Sequence, residues 1–324
     1  MADSRYVRAI NSALADAMAA DPSVIVMGED IAEAGGSFKA TRGLLEKFGP
    51  ERVRDTPISE LGITGAAVGA ALTGLKPVVE IMFMDFVTLA MDAIVNQAAK
   101  VRFMFGGQAS VPMVVRLPHG GGLNAGPQHS QCLEAWFAHV PGLKVVCPAT
   151  VADAYALTLA AIADPDPVIV VENKALYGMA GDLPDIVAPA RIGEARIARE
   201  GRDVTLVTYG ASLFTCEKAA AALEGQGVSA EIVDLRSLQP WDKAAVLGSV
   251  SRTHRAVVVH EAVRAFGVGA EIAATISEEG FDDLDAPVMR VGAPFMPVPF
   301  ARSLESRYIP DAAAVIDAVR KTLA

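Results

Sequence analysis

Apolar positions along the chain alternate between two kinds of spacing. Short, mostly apolar runs occur at Val24 to Met27, Pro77 to Met82, Val111 to Leu117, Leu143 to Cys147 and Val168 to Glu172. Runs of that length fit strands of a parallel sheet covered on both faces. Between them, apolar side chains return every three to four residues, the spacing of amphipathic helices. Residues 5–20 place Ile10, Leu14, Ala17 and Met18 on one side, and further helices are expected over 41–48, 86–105, 130–139 and 151–163. In the 86–105 segment Leu89, Ala93, Val95 and Ala99 are the candidates for burial. A second alternation follows, with strands at 203–209, 230–235, 255–260 and 288–291 and helices near 212–224, 242–250, 267–279 and 311–323. Residues 173–202 lose periodicity and contain Pro184, Pro189, Gly178, Gly181 and Gly193. The pattern predicts two three-layer α/β domains, 1–180 and 203–324, joined by a connector at 181–202.

One stretch concentrates signals, R-V-R-D-T-P-I-S-E-L-G-I-T-G-A-A-V-G-A-A-L-T-G at 52–74. A strand at Val53 to Asp55 runs into a turn at Pro57, Ser59 is placed to cap a helix, and Glu60 falls in its first turn. Gly65 and Gly69 flatten one helix face, which predicts that something packs closely there. Glu60 has two readings. An acid in the first turn complements the helix dipole and needs no further role. Alternatively, Ile58, Leu61, Ile63, Ala66, Ala67 and Val68 exclude water around it. Burial raises a carboxyl pKa by up to roughly 3–5 pH units, whereas the helix terminus opposes with only about 0.3–1 kcal/mol. In a dry site burial wins, and the carboxyl can share a proton near neutral pH.

Composition narrows the classes. The chain is 52% hydrophobic, yet its longest apolar stretch, Gly62 to Met84, is broken by Lys76, Pro77 and Glu80, so no membrane span is expected. A net charge of −10 disfavours nucleic acid or an anionic membrane as partner. The first residues lack an apolar signal core and, with Asp3, Asp16 and Asp21, do not read as a transit peptide. Cys132, Cys147 and Cys216 are odd in number and form no C-x-x-C pair, which fits a reducing, cytoplasmic location.

The loop P-H-G-G-G-L-N-A-G-P-Q-H-S-Q at 118–131 is the second concentration of polar groups, with His119 and His129 as its chemically competent side chains. H-G-G-G without G-x-S-x-G argues against a serine hydrolase. The ten-residue spacing of His119, His129 and His139 matches no metal motif. Gly267 and Gly269 lack the third glycine of a dinucleotide fingerprint, and no phosphate-binding G-x-x-x-x-G-K-[S/T] loop occurs. Met82, Phe83 and Phe86, near a strand end, fit either a core or the wall of a ring-binding pocket. These parts suit acid–base chemistry on a ring or carbonyl and leave the reaction open.

D-T-P-I-S-E at 55–60, A-G-P-Q-H-S-Q at 125–131, A-W-F-A-H-V-P-G-L-K-V-V at 135–146 and F-G-V-G-A-E-I at 266–272 resemble one family over essentially the whole chain. It is the β subunit of the thiamine-diphosphate-dependent component of 2-oxo acid dehydrogenase complexes, related to transketolase. The resemblance implies a pyrimidine-binding domain followed by a transketolase-like C-terminal domain. It also implies an α subunit in an α₂β₂ assembly that holds Mg²⁺ through a G-D-G motif absent here. It places Glu60 at the glutamate that hydrogen-bonds a cofactor ring nitrogen, favouring the imino form that generates the ylid. It places His129 at the histidine that assists at the carbonyl and in transfer to a lipoyl group on an acyltransferase core. Met82 and Phe86 match pyrimidine-pocket positions. Met113 with Ala161, Ile162, Asp164 and Asp166 resembles a K⁺ site, although Asp166 stands where asparagine is frequent and an Asp–Pro turn accounts for the same residues. M-F-M-D-F at 82–86 and V-G-A-P-F-M-P-V-P-F at 291–300 look closer to acetoin-type subunits than to pyruvate or branched-chain types. Two rivals are weighed. A nicotinamide oxidoreductase lacks its fingerprint here, and a non-catalytic assembly subunit would not need both Glu60 and His129.

Overall fold

The computed structural model describes residues 2–183 and 190–324. The chain divides into two compact units, Met1–His119 with Trp136–Ile192, and Gly120–Ala135 with Gly193–Ala324. Among the described residues no helix is long and apolar enough to cross a membrane.

The first unit runs β1 (Ala2–Arg5), α1 (Tyr6–Ala20), β2 (Val24–Gly28), α2 (Leu44–Phe48), β3 (Val53–Asp55), α3 (Glu60–Leu72), β4 (Lys76–Glu80), α4 (Val101–Met104), β5 (Val114–His119), α5 (Glu134–Ala138), β6 (Lys144–Val146), α6 (Val151–Ala163), β7 (Val168–Asn173) and β8 (Ala180–Leu183). The chain enters this unit from the other within α5. Parallel strands lie side by side in the order β6-β7-β5-β4-β2-β3. β2, β5 and β7 are buried at every position, which requires cover on both faces and explains their largely apolar sequences. α1 buries Tyr6, Ile10, Leu14 and Met18, one face at helical spacing, and packs on α6.

Two expectations change here. Residues 181–202 are not a bare connector: β8 pairs antiparallel with β1, from Ala2 opposite Leu183 to Arg5 opposite Ala180. Pro184 and Pro189 lie outside the described residues. The 86–105 segment is not one α-helix but a 3₁₀ stretch (Met84–Ala90), a π stretch (Asp92–Ala98) and α4. At 3.0 residues per turn, three steps from Phe86 carry Leu89 about 60° further round than an α-helix would. Leu89 accordingly points outward, 63% exposed, whereas Ala93 and Ala99 are buried as expected.

The second unit contains β9 (Arg196–Arg199), β10 (Val204–Thr208), α7 (Ser212–Glu224), β11 (Ala230–Asp234), β12 (Ser237–Gln239), α8 (Lys243–Thr253), β13 (Ala256–Val263), α9 (Val268–Glu279), β14 (Met289–Ala293), α10 (Arg302–Tyr308) and α11 (Ala312–Leu323). Its sheet runs β14-β13-β10-β11-β9, parallel except for β9 at the edge. Asp242 and Asp311 cap α8 and α11 by accepting from the N–H groups of Ala245 and Ala314.

The first sheet also buries a charged residue in mid-strand. Arg116 on β5 is fully buried, with Nε and Nη2 donating to the two oxygens of Glu172 at 2.8 and 2.7 Å and Nη1 donating to Glu80. Tyr177 Oη donates to Glu172 as well, at 2.7 Å. Two carboxylates on the strands either side of β5 are thus held by one guanidinium. Removing one partner from a buried ion pair costs about 3–5 kcal/mol because the remaining charge stays buried. Arg116→Met should lower unfolding free energy by about that amount in denaturant titration. A midpoint close to wild type would show that the network contributes little to this unit.

Candidate active site

In open parallel sheets, binding sites form outside the carboxyl ends of the strands. β4, β2 and β3 are neighbours, and a candidate site group follows each of them. Glu29 follows β2 directly, Glu60 lies just beyond β3 as the first residue of α3, and Met82, Phe83 and Phe86 lie just beyond β4. α3 packs on the segment Met84–Ala98, which brings the last two groups onto neighbouring elements.

Glu60 is 5% exposed, so the buried reading holds. The wall around it is not the one expected. Ile58 and Leu61 are 83% and 51% exposed, and Ala66 is exposed, so only Ile63, Ala67 and Val68 of the expected set are buried. Its electrostatic neighbour is a second carboxyl. Glu29 is 8% exposed and accepts a hydrogen bond from the Ser59 backbone N–H, while its Oε1 has no hydrogen-bond partner among the described residues. Burial, and then the negative charge of Glu60, push the Glu29 pKa above its ordinary value. Ser59 precedes α3 without capping it through its side chain. The flat face at Gly65 and Gly69 is open, since a Cβ at either position would meet nothing within 4 Å. Among the described residues, none supplies the close neighbour expected there.

Met82, Phe83 and Phe86 are half-buried. Phe83 meets Phe86 edge-on at 5.7 Å and Phe38 at 5.6 Å, and Lys174 Nζ lies 5.5 Å from the Phe83 ring centre. A thioether and aromatic wall beside a buried carboxyl, with a second carboxyl holding an unpartnered oxygen, fits a flat nitrogen heterocycle. The apolar groups suit ring faces and the carboxyl suits a ring nitrogen.

The structure places His129 in the other unit, half-buried, its N–H closing a turn on Gly126 O at 3.4 Å. His119 ends β5 in the first unit and is buried, and burial with the charge of Lys174 lowers its pKa to about 3. Its ring is therefore neutral across the physiological range. The residues resembling a K⁺ site sit together in the first unit. Met113 O accepts from the Val168 N–H at 3.0 Å and Ala161 O from the Asp164 N–H at 3.3 Å, while Ile162 is buried. Both Asp164 oxygens accept from Lys144 Nζ at 2.7 Å, and Asp166 pairs with Arg102. The Asp166 N–H donates to Asp164 Oδ1 at 2.9 Å, so the turn reading is satisfied as well.

Glu29 is the site residue that sequence reasoning passed over. G-E-D-I-A was legible as the sequel to a strand. The available signal was a carboxylate at the exit of a fully apolar parallel strand, where binding groups collect. A carboxyl with a raised native pKa keeps its proton where the unfolded chain has lost it. Its contribution is full below the ordinary carboxyl range and is lost as pH rises through the elevated value. Glu29→Gln abolishes that term. As pH rises from the ordinary carboxyl range through the elevated value, the melting temperature of wild type should fall relative to the variant. A constant difference across that window would contradict the assigned coupling.

Residues 3–179 match the transketolase pyrimidine-binding domain and residues 193–315 the transketolase C-terminal domain. The chain is 47% identical over 317 residues to the pyruvate dehydrogenase E1 component subunit beta-2, mitochondrial, of Oryza sativa subsp. japonica, spanning 97% of this chain and 84% of that one. It is 46% identical to the acetoin:2,6-dichlorophenolindophenol oxidoreductase subunit beta of Cupriavidus necator, spanning 97% and 96%. Among solved structures, a split gene transketolase described as an inactive beta4 tetramer superposes with a TM-score of 0.82 at 26% identity, covering 99% of both chains. Carboxyls gathered at the strand ends of a matched pyrimidine-binding domain agree with these likenesses, and the chain belongs to the family of dehydrogenase E1 β subunits that includes the pyruvate and acetoin types.

Proposed function

We propose that this chain is the β subunit of a thiamine-diphosphate-dependent dehydrogenase that cleaves a carbon–carbon bond next to a carbonyl. The observation that carries the reading is Glu60, buried at the head of α3 beside a second carboxyl and neighbouring a half-buried aromatic wall. When bound, thiamine diphosphate supplies the electron sink for the cleavage. Glu60 donates a hydrogen bond to a nitrogen of the cofactor ring and exchanges a proton with it. The negative charge of Glu60, after burial, favours the protonated form of Glu29, so a proton is held at the neighbouring carboxyl. Met82 and Phe86 would line the ring of the bound cofactor and limit its contact with water. His129 assists at the substrate carbonyl and in passing the fragment to a lipoyl group on an acyltransferase core.

This chain has no G-D-G sequence, so Mg²⁺ and the diphosphate fall to an α subunit, in an α₂β₂ assembly. The open Gly65 and Gly69 face and the exposed Ile58 and Leu61 beside Glu60 suit a partner chain at the cofactor. The carbonyls of Met113 and Ala161, each with one lone pair committed, keep a second for K⁺. M-F-M-D-F and V-G-A-P-F-M-P-V-P-F support acetoin as the donor, with pyruvate or a branched 2-oxo acid as the alternative. A panel of these donors and 2-oxoglutarate, run on the reconstituted α–β pair, decides between them.

Glu60→Gln should leave assembly intact and reduce turnover at least about a hundredfold. Near-normal turnover in an assembled variant would remove Glu60 from the chemistry. His129→Ala should slow reductive transfer to a lipoyl acceptor more than the initial cleavage measured with an artificial oxidant. Equal losses in the two assays would reassign His129 to positioning alone.

A further inference from the structure

The loop that carries His129 follows β5 of the first unit but belongs to the second. Its attachments explain why. The Gly121 N–H donates to Glu261 Oε1 at 2.6 Å. Glu305, on α10, accepts from the Gly122 N–H through Oε1 at 3.0 Å, and through Oε2 from the Asn124 N–H and Nδ2 at 3.0 and 2.8 Å. Glu305 is 3% exposed, and among the described residues its side-chain hydrogen-bond partners all lie in 122–124. Hydrogen bonds to a buried carboxylate are about twice as strong as neutral ones, so three on one group form a firm clamp. Asn124 is held at φ +57, a left-handed conformation that the clamp stabilises.

The clamp continues toward the histidine. Gly126 has φ +76, and a Cβ there would sit 2.2 Å from the Phe300 ring, so ring and loop backbone are in direct contact. The His129 N–H then closes its turn on Gly126 O. Every second or third residue from 122 to 129 is thus tied down, mostly to the segment 300–305.

We propose that Glu305 is a positioning residue for His129, fixing the loop through Gly122 and Asn124 so that the imidazole is held in one pose. This rests on the catalytic reading of His129. Glu305→Gln turns one oxygen into an NH₂ group that must face a loop N–H, so at least one of the bonds is lost. Glu305→Ala removes all three. Misplacing a reacting group by about 1 Å can cost on the order of a hundredfold in rate.

The test uses the α–β assembly with E305A and E305Q, each alone and combined with H129A, together with amide hydrogen exchange over residues 120–131. E305A should lower kcat by about 10- to 100-fold with little change in KM. E305Q, which keeps the packing and guards against a folding failure, should fall between. Exchange in the loop should quicken in both. On top of H129A, E305A should cost less than about twofold, because the group it positions is gone. Equal losses in the two backgrounds would overturn the proposal, as would unchanged loop exchange. If H129A alone turns over like wild type, the reading of His129 falls and the proposal with it. Quickened loop exchange in E305A would then show that the clamp itself was correctly assigned.

Discussion

The candidate site is defined by two carboxyls, Glu29 and Glu60, held out of water beyond the ends of adjacent parallel strands. Like charges withdrawn from solvent disfavour full ionisation, and the raised Glu29 pKa records that cost. The fold meets it with modest means. The Ser59 N–H donates to Glu29, and the amino terminus of α3 lies at Glu60. Neither supplies a full counter-charge, which is why burial and the neighbouring charge prevail at Glu29.

Elsewhere in the same sheet the opposite solution is used. Glu80 and Glu172 are also buried, but Arg116 between them provides a permanent cation and five-donor geometry. The contrast is one of partners: the carboxylates in mid-sheet are paired with arginine, whereas Glu29 at a strand end has only the Ser59 N–H and the nearby charge of Glu60. In the second unit the acids do a third job. Glu261 and Glu305 accept backbone N–H groups and shape a glycine-rich loop that no regular ladder could hold.

The βαβ alternation was legible because strands buried on both faces leave short apolar runs, as residues 24–27 of β2 and 168–171 of β7 show, and because α1 and α6 keep a helical phase. Glu60 and its helix start were legible from a turn, a cap-type residue and an apolar run. The misreadings have physical causes. Leu89 faces outward because a 3₁₀ turn changes the phase that the periodicity assumes. β8 and β9 are short, partly exposed edge strands without an apolar signature. Glu29 and Arg116 acquire meaning only from strand order, and the loop at 120–135 belongs to its unit through partners more than a hundred residues away. No local pattern encodes such pairings.

The central claim is that Glu60 moves a proton to and from the cofactor ring before any substrate is involved. The direct measurement is the rate of deuterium exchange at the thiazolium carbon of thiamine diphosphate bound to the α–β assembly, followed by quenched-flow NMR. Exchange should be much faster than in free cofactor for wild type and drop by at least about a hundredfold when Glu60 is replaced by glutamine. Exchange that is equally fast in both proteins would contradict the account.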